Sequence, residues 1–266
     1  MYENIEALAR KAGDIMLSAK PADTEPSEKT SNSDIVTEYD FKIQEFLIGE
    51  LSKLYPSAEF VGEEGETDNS ITEKVNKEAF IIDPIDGTIN FVRNMRKSCV
   101  SIAYAKGGKI VYGCCYIPYC DELYTAELGK GAYLNGKRIF CSDRPIEHAL
   151  VAIGTSPYYK KEAGDATFAI MRALFERAMD IRRMGSAVHD LLDVASGRTE
   201  IYVELMLSPW DFAAASLIAS ESGAIVSRAC GKALEYDRKM SVVAACKPCY
   251  DFFMSCPEIE KYRLGF

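Results

Sequence analysis

Two aspartates three residues apart, Asp83 and Asp86, close an apolar run, Ala79-Phe80-Ile81-Ile82, and are followed by Gly87 and Thr88. The run reads as a buried strand. Asp83 is then held rigidly at the strand's carboxyl end, and Pro84 fixes the backbone beyond it. The turn returns Asp86 toward the same point. Gly87 carries no side chain to block a ligand, so the amides of Gly87 and Thr88 can face an anion. Oxygen donors with no His or Cys among them select a hard cation such as magnesium, which keeps waters and shares phosphate oxygens.

An aspartate at the end of one strand is an ordinary turn former. Here other acidic groups accompany it. Glu59-Phe60-Val61-Gly62-Glu63-Glu64-Gly65 places an acidic pair just past a short apolar run. Pro209-Trp210-Asp211-Phe212-Ala213-Ala214-Ala215 sets Asp211 at the opening of a small-residue helix. Three acidic element ends in one acidic chain point to a convergent carboxylate cluster, whose natural use is two-metal phosphoryl chemistry.

The order Glu63-Glu64, Asp83-Pro84-Ile85-Asp86-Gly87-Thr88-Ile89-Asn90-Phe91, Trp210-Asp211-Phe212-Ala213-Ala214 and Glu221-Ser222-Gly223 resembles the inositol monophosphatase family of magnesium-dependent, lithium-sensitive phosphatases. The similarity runs from about Ile5 to the C-terminal region and includes the spacing between motifs. It implies that Glu63, Asp83 and the Ile85 carbonyl hold one metal, and that Asp83, Asp86 and Asp211 hold a second. Thr88 would join Glu63 in orienting the attacking water, and the Gly87 and Thr88 amides would hold the phosphate. Gly185-Ser186-Ala187 and Glu204 match the positions that line the substrate pocket of inositol-type members, with Asp211 beside them. A carboxylate at 204 accepts hydrogen bonds from polyol hydroxyls. Lys29 to Asp40 resembles a mobile N-terminal segment whose Lys29 and Asp40 lie near the active site; the plain alternative is a solvated loop with Asp34 or Thr37 capping the next helix.

The chain also departs from the family pattern. Glu221-Ser222-Gly223-Ala224 lacks the second glycine usual in its third motif, and Arg93-Asn94-Met95-Arg96-Lys97 replaces a more apolar run. Both leave the pocket rim, and so the substrate, open.

With 266 residues and 48% hydrophobic content the chain can bury one large or two smaller cores. No apolar run reaches the ~18 residues needed to span a bilayer. The N-terminus is acidic and amphipathic rather than a signal sequence, so the expected location is cytoplasmic. A net charge of −9 argues against nonspecific nucleic-acid binding, though bound divalent ions would still admit a phosphate. The expected partners are a small phosphomonoester and a second copy in a homodimer, with no nucleic acid and no membrane. The nine cysteines read as small buried residues. Cys246-Lys247-Pro248-Cys249 has redox-motif spacing, but no zinc partner pair accompanies it and the structural reading stands ahead. The two histidines leave little for a Ser-His-Asp hydrolase, and His189 falls at an ordinary helix position.

These residues need elements to hold them. Ile5, Leu8, Ala9, Ala12, Ile15, Met16 and Ala19 recur at helical spacing, and Phe41 to Leu54 suggests a second helix. Cys99 to Phe140 shortens to an antiparallel meander, with Asn135-Gly136 as a tight turn. Beyond Pro145, helices (Ala163 to Met179, Ser186 to Ser196, Asp211 to Ser222) alternate with strands (Asp180 to Met184, Glu200 to Glu204, Ser241 to Ala245). Pro21 to Ser33 is the most loop-like stretch. The expected domains are an N-terminal α+β lobe, 1–145, carrying most metal ligands, and a C-terminal α/β lobe, 146–266, contributing Asp211 and the substrate pocket. The resemblance implies an α+β fold, a layered α/β/α/β/α sandwich of the inositol monophosphatase and fructose-1,6-bisphosphatase type.

The expected activity is magnesium-dependent hydrolysis of a small phosphomonoester, foremost inositol monophosphate, by a metal-activated water. Fructose 1,6-bisphosphate, histidinol phosphate and nucleotide 3′,5′-bisphosphates are the alternatives within the family. A regulatory protein-binding role on the same scaffold is the alternative outside enzymology.

Overall fold

The computed structural model describes residues 2–19, 26–31, 34–65 and 71–266. Helix α1 (Glu3–Leu17) precedes a hairpin of β1 (Ser27–Ser31) and β2 (Asp34–Val36), then α2 (Glu38–Leu54), β3 (Glu59–Gly62), α3 (Ile71–Asn76) and β4 (Glu78–Asp86). The short α4 (Thr88–Val92) leads into β5 (Cys99–Lys106), β6 (Lys109–Ile117), β7 (Glu122–Glu127), β8 (Gly131–Leu134) and β9 (Lys137–Ile139). There follow β10 (Leu150–Ile153), α5 (Lys160–Phe175), β11 (Asp180–Arg182), α6 (Ala187–Ala195), β12 (Ile201–Leu207) and α7 (Pro209–Glu221). The chain closes with β13 (Ile225–Ser227), β14 (Met240–Ala245), α8 (Lys247–Ser255) and α9 (Pro257–Arg263).

Strands β3 to β9 form one seven-stranded sheet in sequence order, and β11-β10-β12-β14-β13 form a five-stranded one. Side-chain alternation along the strands divides the interior into three cores. Phe80 and Ile82 of β4, with Val100 and Ile102 of β5, pack on Ile5, Leu8, Ile43 and Leu47 of α1 and α2. The opposite face of that sheet, including Ile81 and Cys99, meets α6 and α7 together with Tyr202, Val242 and Ala244 of the second sheet. The outer face of the second sheet, with Val151, Val203 and Val243, is covered by Ile170, Phe253 and Ile259 of α5, α8 and α9. Helix, sheet, helix, sheet and helix layers therefore stack in that order, an α+β sandwich. Helix α7 is buried nearly all round, which is why it shows no polar stripe, whereas α6 is equally buried but sets His189, Asp190 and Asp193 among its apolar residues.

The two leading helices, the meander and the Asn135-Gly136 turn form as the residue pattern predicts, and Asn135 and Gly136 both adopt positive φ. The stretch read as loop differs. Residues 20–25, 32 and 33 lie outside the described residues, but Ser27–Ser31 pairs with Asp34–Val36 as an antiparallel hairpin. Its sequence is polar, so it carries none of the apolar alternation by which strands are read. Cys246 and Cys249 are fully buried at the β14–α8 junction in the outer core, and both thiols lie against the Arg144 carbonyl, at 3.4 and 3.5 Å. Among the described residues no helix is long and apolar enough to cross a membrane.

Candidate active site

The site begins with an irregularity in β4. Asp83 stands opposite Ser101 of β5 and Asp86 opposite Cys99, with a register shift between them. Pro84 and Ile85 on β4 answer Val100 alone on β5, the signature of a bulge. A regular strand would send residues 83 and 86 to opposite faces. The extra residue puts both on the face toward α6 and α7. The Asp83 carboxylate accepts the Ile85 amide at 3.0 Å, and Asp86 accepts the Val188 amide at 3.0 Å and the Ser186 hydroxyl. From the other side, Asp211 is the third residue of α7, where its carboxylate accepts the Ser208 amide at 2.7 Å in a capping box. Carboxylate oxygens of Asp83, Asp86 and Asp211 then lie within 4.8 Å of one another.

Such a cluster strains the charged state of its members. Burial, then the charges of Glu63, Asp86 and Asp211, hold the Asp83 carboxyl well above its ordinary range. Burial likewise raises Asp211, reinforced by Glu63 and Asp86. Burial pushes Asp86 from 3.8 up to about 6, against the Ser186 hydroxyl and the Val188 amide, which both favour its anion. Among the described residues no cation forms an ion pair with any of the three.

The triad lies in a cleft of about 670 Å³ lined also by Lys29, Glu63, Glu64, Gly87, Thr88, Arg183, Gly185, Ser186, Ala187, Asp190 and Glu204. Glu63, just past β3, stands outside the 4.8 Å group; Lys29 of β1 bonds it at 3.1 Å and Glu64 at 2.6 Å. Burial opposes the Lys29 charge, yet the two glutamates raise its pKa above the ordinary value. Glu64 is raised to about 7 by burial and by Glu63. Gln44 of α2 fixes this corner, its side-chain amide exchanging hydrogen bonds with the Glu64 backbone in both directions.

Gly87 has a φ of 87°, and a Cβ there would lie 2.9 Å from the Lys97 carbonyl, so glycine is required by both conformation and space. The Thr88 hydroxyl donates to the Ile85 carbonyl at 3.2 Å and to Asp40 at 3.4 Å. Asp40 meanwhile closes the capping box of α2 with Thr37. Thr37, one of the two expected capping residues, is the N-cap of α2, and Asp40 completes its box while also bonding Thr88. Burial raises the Asp40 pKa to about 6.

An all-oxygen, buried, unneutralised donor set fits a hard divalent cation. A thiol beside it, that of Cys99, lies 3.8 Å from Asp86 and is held in its protonated form by burial and by that carboxylate.

The profile of the inositol monophosphatase family matches residues 1–252. The chain belongs to this family. It is 36% identical to the Nus factor SuhB of Vibrio cholerae over 239 residues, which cover 89% of this chain and 88% of the relative. It is 34% identical to inositol monophosphatase 2 of Rattus norvegicus over 238 residues, 88% of this chain and 81% of the relative. The crystal structure of the extragenic suppressor protein SuhB from Bartonella henselae superposes with a TM-score of 0.86 at 32% identity, covering 96% of each chain.

In this inositol monophosphatase family member, Gly185, Ser186 and Ala187 wall the cleft beside Gly87. The Ser186 hydroxyl is engaged with Asp86 and caps α6, accepting the His189 amide at 3.2 Å. Glu204 Oε1 accepts the Ser156 amide at 2.6 Å and its hydroxyl at 3.2 Å, while Oε2 accepts the Tyr202 hydroxyl at 2.6 Å. Burial raises its pKa despite these bonds. Glu221 of the third motif lies elsewhere: it accepts the amides of Gly129 and Gly131, both at 2.7 Å, clamping the β7–β8 turn. Sequence reasoning missed Gln44, Arg183 and Asp190. Gln44 and Asp190 carry no signal beyond their places in helices; Arg183, two residues before Gly185, could have been noticed as a cation beside the pocket motif.

Proposed function

We propose that the chain is a magnesium-dependent phosphomonoesterase acting on a small polyol phosphate, with inositol monophosphate as the first candidate. The convergence of Asp83, Asp86 and Asp211 within 4.8 Å, unpaired with any cation among the described residues, carries this reading. Glu63, Asp83, the Ile85 carbonyl, Asp86 and Asp211 are the groups that would hold metal. Bound there, divalent ions would neutralise the cluster, activate water and stabilise the charge of the phosphoryl group and the departing oxygen. Glu63 and the Thr88 hydroxyl orient the attacking water, and the Gly87 and Thr88 amides hold the phosphate. Asp86 is kept in place by Ser186 and Val188, and Asp211 by the Ser208 amide. Glu204, beside Gly185, Ser186 and Ala187, has one acceptor site left on Oε2 for a substrate hydroxyl. Lithium sensitivity, a cytoplasmic location and a homodimeric working form belong to the same reading.

A panel of phosphomonoesters assayed with magnesium and with chelator tests it, with fructose 1,6-bisphosphate, histidinol phosphate and a nucleotide 3′,5′-bisphosphate beside inositol phosphate. Asp83→Asn should lower turnover by roughly a thousandfold, about 4 kcal/mol of transition-state stabilisation, while the fold survives. An active Asp83→Asn enzyme would refute the mechanism. One observation favours a second reading: a 36% identical relative bears the name of a Nus factor, not of an enzyme. A protein partner retained without magnesium, together with no turnover of any phosphomonoester, would favour a regulatory binding role.

A further inference from the structure

Beyond the triad, the cleft contains a buried carboxylate with an oxygen that no group among the described residues bonds. Asp190 lies one turn into α6, four residues after the capping Ser186, on the side that lines the cleft. It is 2% exposed, and its buried Oδ1 has no hydrogen-bond partner among the described residues. Buried polar groups are almost always satisfied, and an orphaned one is costly to fold. The neighbouring Glu204 is in the opposite condition, with three of its acceptor sites filled by Ser156 and Tyr202.

A cation faces the same space without neutralising it. The Arg183 guanidinium donates to the Thr155 hydroxyl at 3.0 Å, and among the described residues it forms no ion pair with Asp190 or Glu204. It lies so close over Gly185 that a Cβ at 185 would collide with it. Its charge still reaches both carboxylates: burial and the charges of Glu204 and Asp193 raise Asp190, and Arg183 draws it back. Arg183 and Asp190 both line the cleft, and a hydroxyl seated between a donor and an acceptor accepts from one and donates to the other.

We propose that Asp190 is a specificity-determining residue that contacts the substrate, its free carboxylate oxygen accepting a hydrogen bond from a polyol hydroxyl whose oxygen accepts from Arg183. The inference rests on the phosphatase reading and names the end of the cleft that recognises the alcohol rather than the phosphate. A site built to bond a hydroxyl discriminates strongly against an analogue lacking it, because its buried polar groups are then left unpaired.

The test compares myo-inositol 1-phosphate with 4-nitrophenyl phosphate, which has no hydroxyl to present. Asp190→Asn keeps the volume. It should raise KM for the inositol phosphate about tenfold or more, with kcat within about threefold, and leave KM for the aryl phosphate within about twofold. Because the carboxylate is unpartnered in the free protein, the same substitution should leave Tm unchanged or raise it by about 2 °C or more. Asp190→Ala, with its melting curve measured, repeats the comparison without any polar group. Equal losses on both substrates, or a lowered Tm for Asp190→Asn with the substrate ratio unchanged, would mean a structural residue and overturn the proposal. A wild-type protein that turned over neither substrate would remove the phosphatase reading and this inference with it.

Discussion

Asp86 is steered by residues that a motif scan does not pair with it. Its carboxylate takes a hydroxyl from Ser186, a hundred residues away in the chain, and an amide from Val188. Groups that orient a metal-binding carboxylate typically carry 10–100-fold in affinity or activity. Ser186→Ala should therefore weaken magnesium activation by about tenfold. Losing a donor to the anion should also raise the Asp86 pKa further above about 6, so the acid limb of the rate profile moves to higher pH. An unchanged acid limb and unchanged half-saturating magnesium would show that Val188 alone suffices. The same residue marks the limit of sequence reading at this scale. Asp83, Asp86 and Asp211 are legible because carboxylates at element ends are conspicuous. The bond from Ser186 to Asp86, and the free oxygen of Asp190, depend on which side chains meet across layers, and no local pattern records that.

Among the elements, legibility followed length and polarity contrast. Helices α1 and α2 announce themselves because each has one face on the sheet and one in water. The hairpin β1–β2 is polar, and β13 has only three residues, so neither offers a period to count. The β4 bulge is partly legible: Pro84 signals an irregular strand, but the register shift that turns Asp83 and Asp86 to one face depends on β5. Glu221 shows an element-level role behind a motif residue. It ends α7 and bonds two amides of the β7–β8 turn, tying the central helix layer to the sheet rather than entering the cleft. Glu221→Ala strands the half-buried Gly131 amide and should cost about 1–3 kcal/mol, read as a lowered denaturation midpoint, with kcat within about twofold. A large fall in kcat at unchanged stability would place Glu221 in the chemistry instead.

For the whole molecule, two sets of carboxylates act on stability in different pH windows. Surface groups such as Asp121 and Glu122, bonded to Arg10 and Arg198, have lowered pKa values; the stability they contribute is lost only as pH falls below the ordinary carboxylate range. The buried groups act oppositely. Asp40 and Asp86 at about 6, and Glu64 at about 7, bind protons in the folded state that the unfolded chain has already released at 3.8 to 4.5. Their contribution is full below the unfolded values and is lost as pH rises through the folded ones, so the metal-free protein should be most stable near pH 5 and weaken toward pH 7. Divalent metal should reverse this upper limb, because on the proposed function it would bind the ionised cluster and only in the native state. At a magnesium concentration about 100 times its Kd the gain is about 2.7 kcal/mol, or a Tm rise of about 5–10 °C for a chain of this size. Melting curves at pH 5.0 and 7.5, with chelator and with magnesium, should show a small magnesium shift at the lower pH and the large one at the higher. Equal shifts at both pH values, or a metal-free Tm that climbs across the interval, would mean that the buried carboxylates do not govern the molecule's stability.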